Sequence, residues 1–544
     1  MKTPSLPPGR SSQRRPGLPH LDPRLDLRLD PRLDPRSDPR LDLRLDPRLD
    51  RRPGSRLDLR LDPRLGSRLG SRLDPRLGSL SPGLGRRIER VARWWAAVAL
   101  IAALGTGCDD PEGAPGGGDP ADVGASDAEI DSGDPSDAPD PEDESPDGDS
   151  PDGDLIDAAP ACAPLDCEDF LNDCDGLNCP ALSDYEQVVP SAALPEGVET
   201  QNANNNLDAI EHGGRVFLAF RTAPYHFADK RAELFVVSTP DHVNYRFEGR
   251  FSMQTDLREM RLFNLGEKLF MVFAVLGDNP IDFEPQGMMV TEYEGPGQWT
   301  TPEYFYGEGF IPWRTKTIGG RVYLIAYEGG ENIYDIDGEP IRVHWLTTED
   351  GRQWVPVVPD QPVVLEGGSS ETDFVLMDDG ALVAVSRNEA GDDELGWGSK
   401  VCRAEPESLG DWRCVADRRK YDSPLLFRHG DGVWLLARRN VTDTGHYDLG
   451  EGDTPQARTR RNLLAYSNAP KRCALWRVDP TTLEVAFVLD LPSRGDTCFP
   501  AIVPQDNGDI LVYNYTSPIE AAEMSWLRGQ GGPTLIYRLR LTLP

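Results

Sequence analysis

Histidine and methionine are scarce in this sequence of 544 residues, with seven of the first and eight of the second. Beyond His20, the histidines are His212, His226, His242, His344, His429 and His446. None is spaced from another as metal ligands on one element are, so no metal or other cofactor is expected. There is no Gly-x-Ser-x-Gly elbow and no glycine-rich phosphate loop, which removes the commonest serine hydrolases and nucleotide enzymes. No basic stretch is interleaved with aromatics, so nucleic acid is not an expected partner. Methionine is absent between Met1 and Met253.

The N-terminal third is built from segments of very different composition. Residues 1–85 repeat "LDPRLDLR" and hold no Phe, Tyr or Trp. Such a segment cannot bury enough apolar surface to offset its ordering entropy and reads as disordered. The alternative is a mis-assigned start, with synthesis beginning near Arg86. Residues 86–108, "RRIERVARWWAAVALIAALGTGC", place basic residues before a short apolar run and end on small residues and a Cys. This is a secretory signal of lipoprotein type, with Cys108 the expected site of lipidation and the membrane a partner through that anchor. Residues 109–160 carry 19 Asp and Glu and no Lys or Arg, an extended acidic linker that supplies more than half of the net charge of −34. The acidity is therefore a property of the linker and says nothing about ligands. Residues 161–184 hold Cys162, Cys167, Cys174 and Cys179, a small knob expected to be stapled by two disulfides. With Cys108 lipidated, eight of the nine cysteines remain to pair in an oxidising cell envelope.

From residue 185 to residue 544 the pattern is all-β and repeats. A glycine-type turn precedes an apolar run in "GGRVFLAFR", "GEKLFMVFA", "GGRVYLIAY", "DGALVAVSR", "DGVWLLARR" and "NGDILVYNY". The second turn residues are Gly214, Glu267, Gly320, Gly380, Gly432 and Gly508, separated by 53, 53, 60, 52 and 76 residues. Each run has a short strand before it and two weaker strands after it. Four antiparallel strands repeated six times predict a six-bladed β-propeller. The last unit has no fourth strand of its own, and "YEQVVP" near residue 185 is expected to supply it.

"TTEDGRQW" lies between the third and fourth strands of the third unit, with degenerate copies in "STPDHVNY", "EYEGPGQW" and "SLGDW". An acid or hydroxyl caps a tight turn through backbone hydrogen bonds while the aromatic tucks beneath it. This spacing is that of the Asp-box, and the body of the chain resembles the sialidase superfamily of propellers. The resemblance implies a carbohydrate or glycoconjugate ligand. In that family a Tyr nucleophile, an Asp acid/base and an Arg clamp do the chemistry. The chain departs from the pattern in two places. "FRTAP" sits at the end of a second strand rather than in the family's arginine motif, and Phe499 stands where the family Tyr is expected.

Propeller topology sends the starts of first strands and the ends of second strands to one face, where long loops follow. The polar residues collected there are the candidate site. Asp208, Glu371, Asp373, Asp422 and Tyr515 are candidates for catalysis, since glycoside hydrolysis commonly uses two carboxyl groups. Arg221, Arg258, Arg261, Arg314, Arg387, Arg438, Asp496 and Tyr513 are candidates for substrate binding. Arginine suits a carboxylate-bearing sugar because its planar fork binds bidentately. Cys402 with Cys414, and Cys473 with Cys498, read as disulfide staples. Two functions stay open: a glycan-binding propeller that also hydrolyses, and a binding propeller without hydrolase activity. The protein is expected to be a monomer.

Overall fold

The computed structural model describes residues 179–279, 284–329, 340–392, 395–450, 452 and 454–544. The repeat segment, the signal with Cys108, the acidic linker, and Cys162, Cys167 and Cys174 of the knob lie outside the described residues.

Six sheets follow one another along the chain, each antiparallel and each of four strand positions. Blade 1 is Ala203–His212, Arg215–Ala223, Glu233–Thr239 and Arg246–Phe251. Blade 2 is Asp256–Leu265, Lys268–Leu276 and Pro285–Gly295, its fourth position split between Gln298–Trp299 and Glu303–Phe305. Blade 3 is Phe310–Ile318, Arg321–Glu328 and Ile341–Thr348, its fourth position split between Trp354–Pro356 and Val363–Gly367. Blade 4 is Ser369–Leu376, Leu382–Asn388, Ser399–Ala404 and Arg413–Asp417, and blade 5 is Asp422–His429, Gly432–Asn440, Lys471–Val478 and Val485–Leu491. Blade 6 takes Ala501–Pro504, Ile510–Thr516 and Leu535–Thr542 from one end of the chain, and Ala181–Leu182 with Glu186–Val189 from the other. The molecule is a six-bladed β-propeller, closed as the sequence pattern predicts.

The apolar runs are buried on both faces because each second strand lies inside its blade. Val216 to Phe220 are all buried, as are Leu269 to Leu276 and Val322 to Tyr327. Each large side chain so buried is worth about 1.5–3 kcal/mol against exposure. Among the described residues two disulfides form: Cys402–Cys414 across the third and fourth strands of blade 4, and Cys473–Cys498 from blade 5 to the approach to blade 6.

The tight turn of blade 3 explains its spacing. Thr348 Oγ1 accepts from the Gly351 N–H at 2.9 Å, and Asp350 Oδ1 accepts from Arg352 and Gln353 at 2.8 and 2.7 Å. Gly351 has φ +78, and a Cβ there would lie 2.7 Å from the Phe270 ring of blade 2. Trp354 packs between Phe263 and Phe305. Asp241 of blade 1 accepts from Val243 and Asn244 in the same way. Asp479 of blade 5 does so from Thr481 and Thr482 in "DPTT", a turn whose pattern is hidden in the sequence because no aromatic follows at the usual offset.

Candidate functional site

The first strand of every blade from 1 to 5 slips register against the second near its start, at Asn205/Leu207, Arg258/Arg261, Pro312/Arg314, Ser369/Thr372 and Asp422/Leu425. Such a bulge leaves a residue unpaired and re-aims its side chain. Asn206, Glu259 and Ser423 take left-handed φ of 41, 54 and 55° there. For a glutamate this costs about 1–3 kcal/mol and persists only where the surrounding structure imposes it.

Around these bulges three polar groups form. In the first, Arg221 reaches from the second strand of blade 1 to Asp256 at the start of blade 2, and Arg258 takes the other oxygen of Asp256 at 2.5 Å. His226, in the loop after Arg221, places Nδ1 2.7 Å from Asp496, which also accepts from Tyr515 Oη at 2.9 Å and Trp526 Nε1 at 3.1 Å. Burial would raise the Asp496 carboxyl, but His226, Arg438 and the Tyr515 hydroxyl outweigh it and lower it. Burial and that carboxylate hold the Tyr515 phenol well above its ordinary value, so it is a neutral donor to Asp496.

In the second group Arg387 pairs with Glu371 and Glu389 and lies 3.5 Å from Asp422. Asp422 accepts from Arg438 at 3.0 Å and from Tyr466 at 2.7 Å. Burial opposes its ionisation, yet Lys420, Arg387 and Arg438 bring it down to about 2. Burial pushes Glu371 up, but Arg387 occupies one of its oxygens and the Ser423 N–H the other at 2.7 Å. Tyr466 comes from helix α1, Pro455–Asn468, whose N-terminus is capped by Thr454. Arg438 ties this group to blade 6 by donating to the Thr497 carbonyl at 2.6 Å, and its guanidinium lies over the Trp526 ring of helix α2, Trp526–Gln530.

The third group lies beyond the bulges. Asp208 accepts from the Leu262 N–H and Asp373 from the Leu426 N–H, both at 2.7 Å, so each carboxylate ties its blade to the next. Lys316 and Arg314 stand 2.9 and 3.7 Å from Asp373. Arg261 sits over the rings of Trp313 and Phe499, and burial with Arg314 beside it lowers its guanidinium to about 9, against the pull of Asp208, Glu259 and Asp373.

The structure thus brings Arg221, Arg258, Arg387, Arg438, Glu371, Asp422, Asp496 and Tyr515 into two adjoining networks. It sets Asp208, Asp373, Arg261 and Arg314 apart as struts between blades. Tyr513 belongs to neither set: it lies 3.0 Å from His242 at the turn between the third and fourth strands of blade 1, the opposite end of the strands. Sequence reasoning missed His226, Glu259, Tyr466 and Trp526. A shallow recess lined by Leu182, Arg472, Asp490 and Arg494 lies by blade 5 and the closing strand and contains none of the candidates. Among the described residues no cluster of His, Cys, Asp and Glu is arranged to hold a metal ion.

No family model and no curated protein matches the chain in sequence. Solved structures are similar in architecture. A protein of unknown function from Dyadobacter fermentans is 15% identical with a TM-score of 0.47, over 67% of this chain and 99% of that one. The Trypanosoma rangeli sialidase in complex with sialic acid is 11% identical with a TM-score of 0.43, over 66% of this chain. The match spans 58% of that sialidase. The phage phi92 endosialidase is 10% identical with a TM-score of 0.43, over 66% and 69% of the two chains. At these values the likenesses assign no residue and no reaction to this chain.

Proposed function

We propose that the propeller recognises an extracellular carbohydrate at the mouth of its channel. The observation that carries this reading is the pairing of the acids there. Asp256 is held by two arginines, Glu371 and Asp422 by Arg387 and Arg438, and Asp496 by His226. Such pairing fixes guanidinium, imidazole and indole groups in a rigid frame suited to a polar ligand. It also leaves none of the carboxyl pairs drawn from Asp208, Glu371, Asp373 and Asp422 free to act as acid and nucleophile. The turns at Thr348–Gln353 and Thr239–Asn244 support the resemblance to Asp-box propellers of the sialidase superfamily. The two disulfides among the described residues support export to an oxidising compartment, and the reading of Cys108 as a lipid anchor rests on the signal at residues 86–108 alone.

The test is a glycan-array screen of the full-length protein, with mass spectrometry of each retained glycan. Retention of a defined glycan class, lost in Arg387→Ala, is the expected result. No retention of any glycan overturns the carbohydrate reading and directs the search to protein partners.

A further inference from the structure

The carboxylates of Asp256, Glu371, Asp422 and Asp496 are occupied, but two other groups beside them are not. The first is His226. Its backbone N–H donates to the Gln530 carbonyl at 3.0 Å, and its own carbonyl accepts from Arg258 at 3.1 Å, so the residue is pinned on both sides. Asp496, fully buried and ionised, can only accept a hydrogen bond, so the proton between them belongs to Nδ1 and the lone pair to Nε2. The Asn205 amide, 3.3 Å from the same Nδ1, is then a packing contact. Burial, with Arg258 and Arg221 nearby, outweighs Asp496 and keeps the ring neutral. The side chain retains 16% exposure, and no described residue is hydrogen-bonded to Nε2.

The second is Glu259, thrown out of the pleat by the blade 2 bulge and half-buried. Oε1 accepts from Asn206 at 3.0 Å, and Oε2 has no hydrogen-bond partner among the described residues. Burial pushes its carboxyl up to about 7, with Glu371 adding to the rise and Arg261, Arg258 and Arg387 opposing it. Consecutive residues, Asn205 and Asn206, touch one group each, and Arg258, next to Glu259 in sequence, donates to the His226 carbonyl, so both groups lie beside the bulge of blade 1.

We propose that His226 and Glu259 are the general base and general acid of a glycoside-hydrolysing site, with Asp496 a positioning residue; this rests on the carbohydrate reading above. Nε2 takes a proton from water as the water oxygen bonds to the anomeric carbon. The bond from that carbon to the leaving oxygen breaks, and Glu259 gives its proton to that oxygen. One water is consumed and two hydroxyl groups are made, and the proton on His226 returns to Glu259 through solvent. Opposed environments for a base and an acid at one mouth are how a protein runs both roles near neutral pH.

The test uses full-length protein and the glycans that it retains on the array, incubated from pH 4 to pH 9. Shortened products are expected, and His226→Gln and Glu259→Gln should each slow cleavage per retained glycan about 10²- to 10⁴-fold. His226→Gln should erase the acid limb of the rate profile and Glu259→Gln the alkaline limb. Asp496→Asn should slow cleavage and shift the His226 proton to Nε2, read by ¹⁵N-histidine NMR. Retained glycans left intact at every pH overturn the acid–base pair and leave the binding reading standing. Absence of any retained glycan brings down the binding reading instead. A spectrum showing His226 protonated at pH 7, or its proton on Nε2 in the unaltered protein, overturns the pair whatever the ligand.

Discussion

Arg221 of blade 1 sets two nitrogens, at 3.0 and 2.7 Å, on a single oxygen of Asp256 in blade 2, and neither side chain has any exposure. Removing one member of a buried pair leaves a charge without its partner in a medium that solvates it poorly. Arg221→Ala is therefore expected to cost about 3–5 kcal/mol, measured as the shift in free energy of unfolding by urea. Arg258 remains on the other oxygen of Asp256, which places the loss toward the lower end of that range.

The turn of blade 3 makes a sharper steric forecast. Gly351→Ala forces a left-handed backbone on a residue with a Cβ and drives that atom to 2.7 Å from the Phe270 ring. A loss of about 1–3 kcal/mol is expected, seen as a lower Tm. Asp350→Ala removes two backbone hydrogen bonds at an exposed turn and should cost less, about 1 kcal/mol.

Glu259 predicts a pH dependence of stability. Its folded value of about 7 lies above its ordinary 4.5, so between those values the folded protein holds a proton that the unfolded chain has released. Stability from this group is complete below pH 4.5 and is lost as pH rises through 7. The loss is at most about 3 kcal/mol, taking 1.36 kcal/mol for each pH unit of separation. Denaturant midpoints at pH 5 and pH 7.5 should fall in the unaltered protein and stay closer together in Glu259→Gln.

Reduction of Cys473–Cys498 frees the junction of blades 5 and 6. For a loop with a sequence separation of 25, the loss is expected to be about 3 kcal/mol. Thermal melts with and without a thiol reductant, repeated on Cys473→Ser/Cys498→Ser, check it. A reductant effect that persists in the double variant would assign the loss to Cys402–Cys414 or to the disulfides expected within residues 161–184.

The architecture was legible because it rests on local signals. Glycine turns at 213–214 and 319–320 start buried runs that recur every 52 to 76 residues, and "YEQVVP" pairs with the last strand, as the want of a fourth strand in the last unit implied. Much of the candidate site was also legible, since strand polarity alone sends Arg221 and Asp256 to the same end of neighbouring blades. What stayed hidden lies on the far side of each bulge. There the alternation breaks, so nothing in the local pattern marks Asn205, Asn206 and Glu259 as site residues, although they belong to strands. Tyr466 was hidden for another reason. Its helix has no regular apolar stripe, and its partner Asp422 is 44 residues away, a contact no local pattern encodes.

The closing strand also sets an order of events. Glu186–Val189 can find its partner only after Leu535–Thr542 exists, roughly 350 residues of synthesis later. Until then blade 6 lacks an outer strand and the ring is an open arc with two sticky edges. Loop-closure entropy makes such distant pairing slow. Pairing at blade 6 is thus expected to be the slow step in closing the ring.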